Sequence, residues 1–353
     1  MKKLKVIQII DSLDVGGAET LAVNIANSLK KKGVYSSLCA TRKEGKLKSV
    51  LNNDVAYLYL ERKKIIDIKA IIKLLKFISK HKITTIHAHS SSLYVSTIVK
   101  ICRPKLKLIW HNHYGMNVNN NSISLKICSF FVSTIINVSE DLEKWSQKKL
   151  YAKRTIYLPN FGKFNSEEKS TILKGDNGKR LVHLGGFRYE KDHINLLESF
   201  MLLKRNHPDW TLHLIGKDYE DNYSAAVYQF IEEHQLRESI FIYGLQTDVK
   251  NILDQSTIGV LSSLSEGLPI SLIEFGMMRK PVVCTNVGQC SEIVTTKELV
   301  VPPKNSKALC SAIELLINNE EFFNAEKNKI YLTVMNKFSE DQFTEKLINL
   351  YNA

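Results

Sequence analysis

Apolar residues along the 353-residue chain fall into two kinds of block that alternate. Short, mostly apolar runs at residues 6–10, 181–184 and 257–261 read as strands buried on both faces, as in a parallel sheet. Residues 36–41, 55–60, 84–86, 108–110, 211–215 and 240–243 repeat the pattern. Between them lie segments with apolar positions at helical spacing: 20–32, closed by Gly33, then 67–82, 193–204, 306–317 and 338–350. Alternation of this kind predicts an α/β protein. The pattern is interrupted by a polar stretch, 163–179, which contains Gly175-Asp176-Asn177-Gly178. We therefore expect a first domain over 1–165, a linker over 166–179 and a second domain over 180–337.

The crossover after the strand at 257–261 carries the most chemistry. It reads Ser262-Ser263-Leu264-Ser265-Glu266-Gly267-Leu268-Pro269 and leads into a helix over 271–279. In a parallel sheet such loops open at the carboxyl ends of the strands, where ligands bind. A helix start there points free N–H groups outward, and an anion is the natural occupant. Gly267 removes a side chain where a ligand would approach, and Pro269 stiffens the turn. Glu266 in the loop and Glu274 one turn into the helix can converge on one ligand. Ser271-x-x-Glu274 equally fits a capping box that only satisfies the helix backbone. Arg188 and Lys191 sit in the crossover after 181–184, where a fork-shaped and a point cation could together neutralise a diphosphate.

The net charge of +13 is unevenly spread. Residues 1–170 carry 30 Lys and Arg against 12 Asp and Glu, whereas 171–353 carry 19 against 24. The basic half implies an anionic surface as partner, either a membrane or nucleic acid. Its segment 67–82 sets Lys69, Lys73, Lys76 and Lys80 beside Ile68, Ile71, Ile72, Leu75 and Ile78, a basic amphipathic helix. We favour anionic lipid headgroups, at about 1 kcal/mol per well-placed cation, over nucleic acid. No apolar run reaches the roughly 20 residues of a membrane span, and the opening residues read as a first strand rather than a secretory signal. Six scattered cysteines without a C-x-x-C pair fit a reducing cytoplasm.

Two pairs of histidines follow strands, His87/His89 and His111/His113. Alternate residues of an extended segment point the same way, so metal binding is one reading, although no carboxylate or thiol set accompanies them. Gly16-Gly17, before Ala18-Glu19, lies in the first crossover and lacks the spacing of a dinucleotide fingerprint, which disfavours a nicotinamide enzyme.

Glu266-x7-Glu274 with Gly267-Leu268-Pro269 between, then Lys280-Pro281-Val282-Val283 and Gly288-Gln289-Cys290-Ser291-Glu292-Ile293-Val294, resembles the donor-site signature of the retaining glycosyltransferases of family four. The resemblance extends over nearly the whole chain and is to members that build bacterial surface polysaccharide. It implies the GT-B fold, two Rossmann-like domains facing each other across a cleft, with a terminal helix over about 338–353 packing back on the first. It also implies a nucleotide-sugar donor, UDP-sugar favoured. Arg188 and Lys191 would hold the diphosphate, assisted by the backbone amides of Ser271 and Leu272, with Gly267, Leu268, Pro269 and Ile270 also at the donor. Glu274 would hold the ribose, Glu266 the donor sugar, and Gly216 and Leu245 would border the base.

In the first domain the resemblance places Gly16 and Gly17 near the donor phosphates and Glu19 and His113 on the acceptor side. The histidine that contacts the donor sugar is His111 or His113, and His111 is preferred. Leu158-Pro159-Asn160-Phe161-Gly162 is similar to the family's P-N-G segment, with Phe161 inserted. No D-x-D occurs, so we expect no metal and no cofactor beyond the donor. The expected acceptor is a polyprenyl-diphosphate-linked saccharide, met by a cytoplasmic protein peripheral on the inner face of the membrane. A sugar-nucleotide 2-epimerase of related fold and a noncatalytic basic nucleic-acid-binding protein are the alternatives.

Overall fold

The computed structural model describes residues 3–14, 16–64, 66–113, 123–164 and 169–353. Tyr114-Gly115 and residues 165–168 of the expected domain boundary and linker lie outside them. The chain forms two compact units, Met1–Asn160 with Glu340–Ala353, and Phe161–Ser339.

The first unit holds strands β1 (Lys5–Ser12), β2 (Tyr35–Lys43), β3 (Ala56–Tyr59), β4 (Thr85–His89), β5 (Lys107–Asn112), β6 (Thr134–Asn137) and β7 (Thr155–Tyr157). They form one parallel sheet in the order β3-β2-β1-β4-β5-β6-β7. The second holds β8 (Arg180–Leu184), β9 (Thr211–Ile215), β10 (Ile240–Gly244), β11 (Ile258–Leu261), β12 (Val282–Thr285) and β13 (Val300–Val301). These are also parallel, in the order β10-β9-β8-β11-β12-β13. The apolar runs become strands because helices cover both faces: Val6, Ile7 and Ile9, like Leu181, Val182, Ile258 and Val260, have no exposed surface. In each sheet the strand order reverses once, between β1 and β4 and between β8 and β11. Diverging crossovers leave a crevice at the carboxyl end of such a switch point, and ligands bind there.

Several expected boundaries move. The first helix, Gly17–Lys31, begins three residues before its apolar period, with Gly16 as its extended N-cap and Glu19 in its first turn. Glycines carry no apolar signal, so the pattern alone hides that turn. Helix Ile68–His81 is capped by the Asp67 carboxylate, which accepts from the Ala70 amide at 3.1 Å. It buries Ala70, Ile71, Leu74 and Ile78, while Ile68 and Ile72 stay 69% and 47% exposed. An apolar stripe is only about 100° wide, and these two isoleucines fall off it onto the lysine side. Residues 169–179, expected within the linker, belong to the second unit. There the Asp248 carboxylate accepts from the Ser170 and Thr171 amides at 2.9 and 2.8 Å, and Leu173 is buried. The long helix Glu320–Lys337 was not expected, because its apolar residues form no stripe.

The terminal helix Glu340–Asn352 is part of the first unit. The Ser28 hydroxyl donates to Glu340, and Lys32 pairs with Asp341 at 2.9 Å. Lys107 donates to the Leu350 and Tyr351 carbonyls, which satisfies the helix end. Leu347 is fully buried, so Leu347→Ala should destabilise the first unit by about 2–5 kcal/mol. Urea unfolding of single-tryptophan forms checks this: the transition seen by Trp110 should shift, and that seen by Trp210 should not.

Candidate active site

The crevice of the second sheet is built by two loops that the chain brings together from about 70 residues apart. The loop after β8 passes Gly185, Arg188 and Lys191, and the loop after β11 passes Ser262 through Pro269. Ser262 donates its hydroxyl to the Lys191 and Asp192 carbonyls at 2.9 and 3.0 Å, and the Leu264 amide donates to the Glu190 carbonyl at 2.8 Å. These bonds set Lys191 beside Glu266, with Nζ 2.5 Å from Oε1. The Ser263 hydroxyl donates to the same oxygen at 2.6 Å. Both charged side chains are largely shielded from water, which strengthens their mutual attraction. Arg188, by contrast, is exposed and lies over the Tyr219 ring at 4.7 Å, its guanidinium also donating to the Tyr219 hydroxyl.

Two glycines, after β9 and β12, let the flanking loops pack closely against these two. A side chain on Gly216 would collide with the Gly185 carbonyl, and one on Gly288 with that of Glu266. Gly288 also has φ +52, a conformation that L side chains rarely adopt. Gly267 faces open space, and its carbonyl accepts from the Gln289 amide at 2.9 Å. Leu245 is exposed in the loop after β10, following Gly244 at φ +67.

Helix Ile270–Met277 starts at an N-cap of Pro269 with no side-chain cap bond, so the capping box does not form. Glu274 lies inside the helix, and among the described residues none donates to its carboxylate. Burial without a partner pushes that carboxyl from 4.5 up to about 7. The expected amide pair also changes: the Leu272 amide donates to the Pro269 carbonyl at 3.2 Å. The Ile270 and Ser271 amides have no acceptor among the described residues and are the two left for an anion. Gly162 packs on this helix, where a side chain would meet Ile273 and Met277, and Phe161 is buried.

In the first unit Gly16, Gly17 and Glu19 stand at the carboxyl end of β1, and a side chain on Gly16 would meet the Glu19 carboxylate. The four histidines gather where β4 and β5 end, with His89 opposite His111 in the register. His111, preferred above as the ligand contact, is fully buried, and neither of its ring nitrogens has a partner. His113 is the first residue beyond β5 and retains exposed surface. Burial keeps His89 and His111 well below the ordinary histidine range and pushes His113 down to about 3, so all are neutral near pH 7. His87, His89 and His111 bring ring nitrogens within 4.8 Å of one another and are the set that could hold a metal among the described residues. To ligate, His89 would have to give up a hydrogen bond to His113 or to Gln8.

Sequence reading missed Tyr219, Ser263 and a cavity of about 440 Å³ at the carboxyl ends of β1 and β2. Asp11, Arg42, Arg62 and Ser91 line the cavity, with the buried Arg62 guanidinium 3.0 Å from Asp11. Arg42 and Arg62 each follow or end an apolar run, a position that marks the ligand-facing edge of a parallel sheet.

The model for Glycosyltransferase Family 4 matches residues 15–161, and that for Glycosyl transferases group 1 matches residues 164–331. CapH of Staphylococcus aureus, a capsular polysaccharide biosynthesis glycosyltransferase, is 24% identical, covering 99% of this chain and 98% of that protein. A UDP-Gal:alpha-D-GlcNAc-diphosphoundecaprenol alpha-1,3-galactosyltransferase of Escherichia coli is 22% identical over 63% of this chain and 62% of its own. Anabaena HepE, solved in complex with UDP, matches at a TM-score of 0.81 and 16% identity, covering 99% of this chain and all of that one (100%). The two doubly wound parallel sheets are thus those of the GT-B fold. The chain belongs to the family-four, group 1 glycosyltransferases, the kind that serve bacterial polysaccharide synthesis.

Proposed function

We propose that this enzyme is a retaining, metal-independent transferase that moves a hexosyl or N-acetylhexosaminyl unit from a UDP-sugar to a polyprenyl-diphosphate-linked saccharide. The product would feed capsule, O-antigen or exopolysaccharide synthesis on the inner face of the membrane. The observation that carries this reading is the Lys191–Glu266 pair at the switch point of the second sheet, with Arg188 in the same loop and the free Ile270 and Ser271 amides close by in sequence. A diphosphate brings negative charge that Lys191, Arg188 and the two amides would meet, and Glu266 would accept from hydroxyls of the attached sugar. As the acceptor oxygen bonds to the anomeric carbon, the bond to the diphosphate breaks. The acceptor's proton passes to the departing phosphate, and the cations neutralise the charge that remains. His113, which keeps exposed surface, takes the donor-sugar contact in place of the buried His111.

UDP as the nucleotude is supported by its presence in the HepE complex, and a lipid diphosphate acceptor by the name of the Escherichia coli relative. The Arg42 and Arg62 cavity suits an acceptor diphosphate, and Ile123 and Ile127 stand exposed on the helix whose Ser124 lines it. Among the described residues no helix is long and apolar enough to cross a membrane. Exposed Ile68 and Ile72 among the lysines of helix Ile68–His81 supply a surface that could insert at the headgroup level instead. Conversion of a free UDP-sugar without acceptor would mark a 2-epimerase, and tight salt-sensitive binding of nucleic acid would mark the other alternative.

Glu266→Gln should lower kcat about 10²–10³-fold while UDP still binds, and Lys191→Met should weaken UDP itself. Steady-state kinetics with calorimetric UDP titration read both, and unchanged turnover in Glu266→Gln would sink the reading.

Glu274 adds a pH dependence. Ribose hydroxyls donate to the ionised carboxylate, so nucleotide binding should release a proton from it and tighten as pH rises through about 7. Calorimetry in buffers of different ionisation enthalpy should show that proton in the native enzyme and lose it in Glu274→Gln. In the unliganded protein the sign is opposite for stability. The folded state keeps a proton that the unfolded chain has released, so stability should fall between about pH 4.5 and 7, and less so in Glu274→Gln.

For the membrane contact, the double change Ile68→Asn with Ile72→Asn should reduce flotation with anionic liposomes and leave the melting temperature nearly unchanged. Equal flotation of both proteins would remove this helix from the contact.

A further inference from the structure

Beside the Lys191–Glu266 pair, the second unit gathers two further cations on one aromatic ring. The loops after β8 and β9 are laced together by backbone bonds. The Gly185 amide donates to the Ile215 carbonyl at 2.9 Å, and the Phe187 amide donates to the Lys217 carbonyl at 2.9 Å. Phe187 is fully buried and anchors the first loop. A side chain on Gly186 would come within 3.2 Å of both the Lys217 carbonyl and the Tyr219 ring, so that position has no room for one. The ring lies against the loop instead. Arg188 places its guanidinium 4.7 Å from the centre of the Tyr219 ring and donates to its hydroxyl, and the Lys217 ammonium lies 4.8 Å from the same centre.

Arg188 and Lys217 are exposed, and neither has a carboxylate partner among the described residues, although three acids flank the ring in sequence. Asp218 accepts from the Tyr228 hydroxyl and the Glu220 amide, both at hydrogen-bond distance. Asp221 caps helix Asn222–Glu233, accepting from the Tyr223 and Ser224 amides. Glu220 pairs with neither cation. The face of an aromatic ring attracts a cation, but two like charges at one ring also repel, so both stay available to an arriving anion. The balance of charge says which one. Lys191 and Glu266 cancel each other at 2.5 Å. The diphosphate of a nucleotide sugar is doubly negative, and a further charge develops on it as the bond to the sugar breaks. Arg188 alone leaves part of that charge unmet, and Lys217 meets it.

We propose that Lys217 is a further diphosphate-binding cation of the donor site and that Tyr219 is a positioning residue, its ring holding Arg188 and Lys217 together for the incoming donor. This rests on the donor-site reading given under Proposed function and adds to it a cation from the loop after β9. Arginine suits the ring because its planar guanidinium stacks on an aromatic face while presenting several N–H groups to phosphate oxygens, whereas Lys217 contributes a point charge. All three residues lie in the second unit.

The test is calorimetric titration of the full-length enzyme with UDP, and nuclear magnetic resonance titration with uridine. The variants are Lys217→Met, Tyr219→Leu, Tyr219→Phe and the pair Arg188→Met with Lys217→Met. Lys217→Met should weaken UDP about 10-fold and leave uridine unchanged, because only the diphosphate loses a partner. Tyr219→Leu should weaken UDP by a similar factor at an unchanged melting temperature, and should have no further effect when added to the pair. Tyr219→Phe keeps the ring face and should fall between Tyr219→Leu and the native enzyme. Should Tyr219→Leu fail to fold, Lys217→Met and Tyr219→Phe carry the test. Native UDP affinity in Lys217→Met, an equal loss for uridine, or a Tyr219→Leu effect that persists when both cations are gone would overturn the proposal. Native UDP affinity in Lys191→Met would instead overturn the donor-site reading beneath it, so the two failures are told apart.

Discussion

The contact between the loops after β8 and β11 is what the chemistry of this enzyme depends on. The two strands are neighbours only because the strand order reverses there, and glycines after β9 and β12 let the flanking loops pack closely against theirs. Ser262 and Leu264 then tie one loop to the other through backbone carbonyls, so side-chain identity elsewhere in the loops can vary without moving them. The result is an ammonium and a carboxylate held 2.5 Å apart at the edge of a sheet, each partly stripped of water. Such a pair is costly to build and would be a poor way to gain stability alone, because desolvation offsets much of its attraction. Its value lies in what it can exchange: an arriving diphosphate offers Lys191 a second partner, and a sugar offers hydroxyls to Glu266.

Helix Ile270–Met277 complements that pair by withholding satisfaction. A helix whose N-cap is proline gets no side-chain cap from that residue, so its first amides are left without a capping partner. Two amides and one unpartnered carboxylate are therefore left at the same helix, one set suited to phosphate and the other to hydroxyls. The rise of the Glu274 carboxyl to about 7 follows from burial with the same absence of partners.

Much of this was legible in the sequence because it lies in short segments. Apolar runs buried on both faces marked the strands, and the ordered spacing from Glu266 to Glu274 marked the donor site. What could not be read lies in contacts distant in sequence or in depth along a strand. Gln8 and Tyr351 are 343 positions apart, and no local pattern couples them. His111 and His113 share a face by alternation, yet β5 ends at Asn112, so one is sealed within the sheet and the other stands beyond it. Ser271-x-x-Glu274 matched a cap in spacing, but the helix starts one residue earlier and leaves the glutamate free. Tyr219 gave no signal because a lone aromatic in a loop has no periodicity.

The most direct measurement is a crystal structure of the enzyme with an intact UDP-sugar bound. The diphosphate should lie within hydrogen-bond distance of Arg188, Lys191 and the Ile270 and Ser271 amides, with the ribose at Glu274 and the sugar at Glu266. A nucleotide sugar lodged away from residues 188–191 and 266–274, with the Lys191–Glu266 pair undisturbed, would contradict the assignment of this crevice as the donor site.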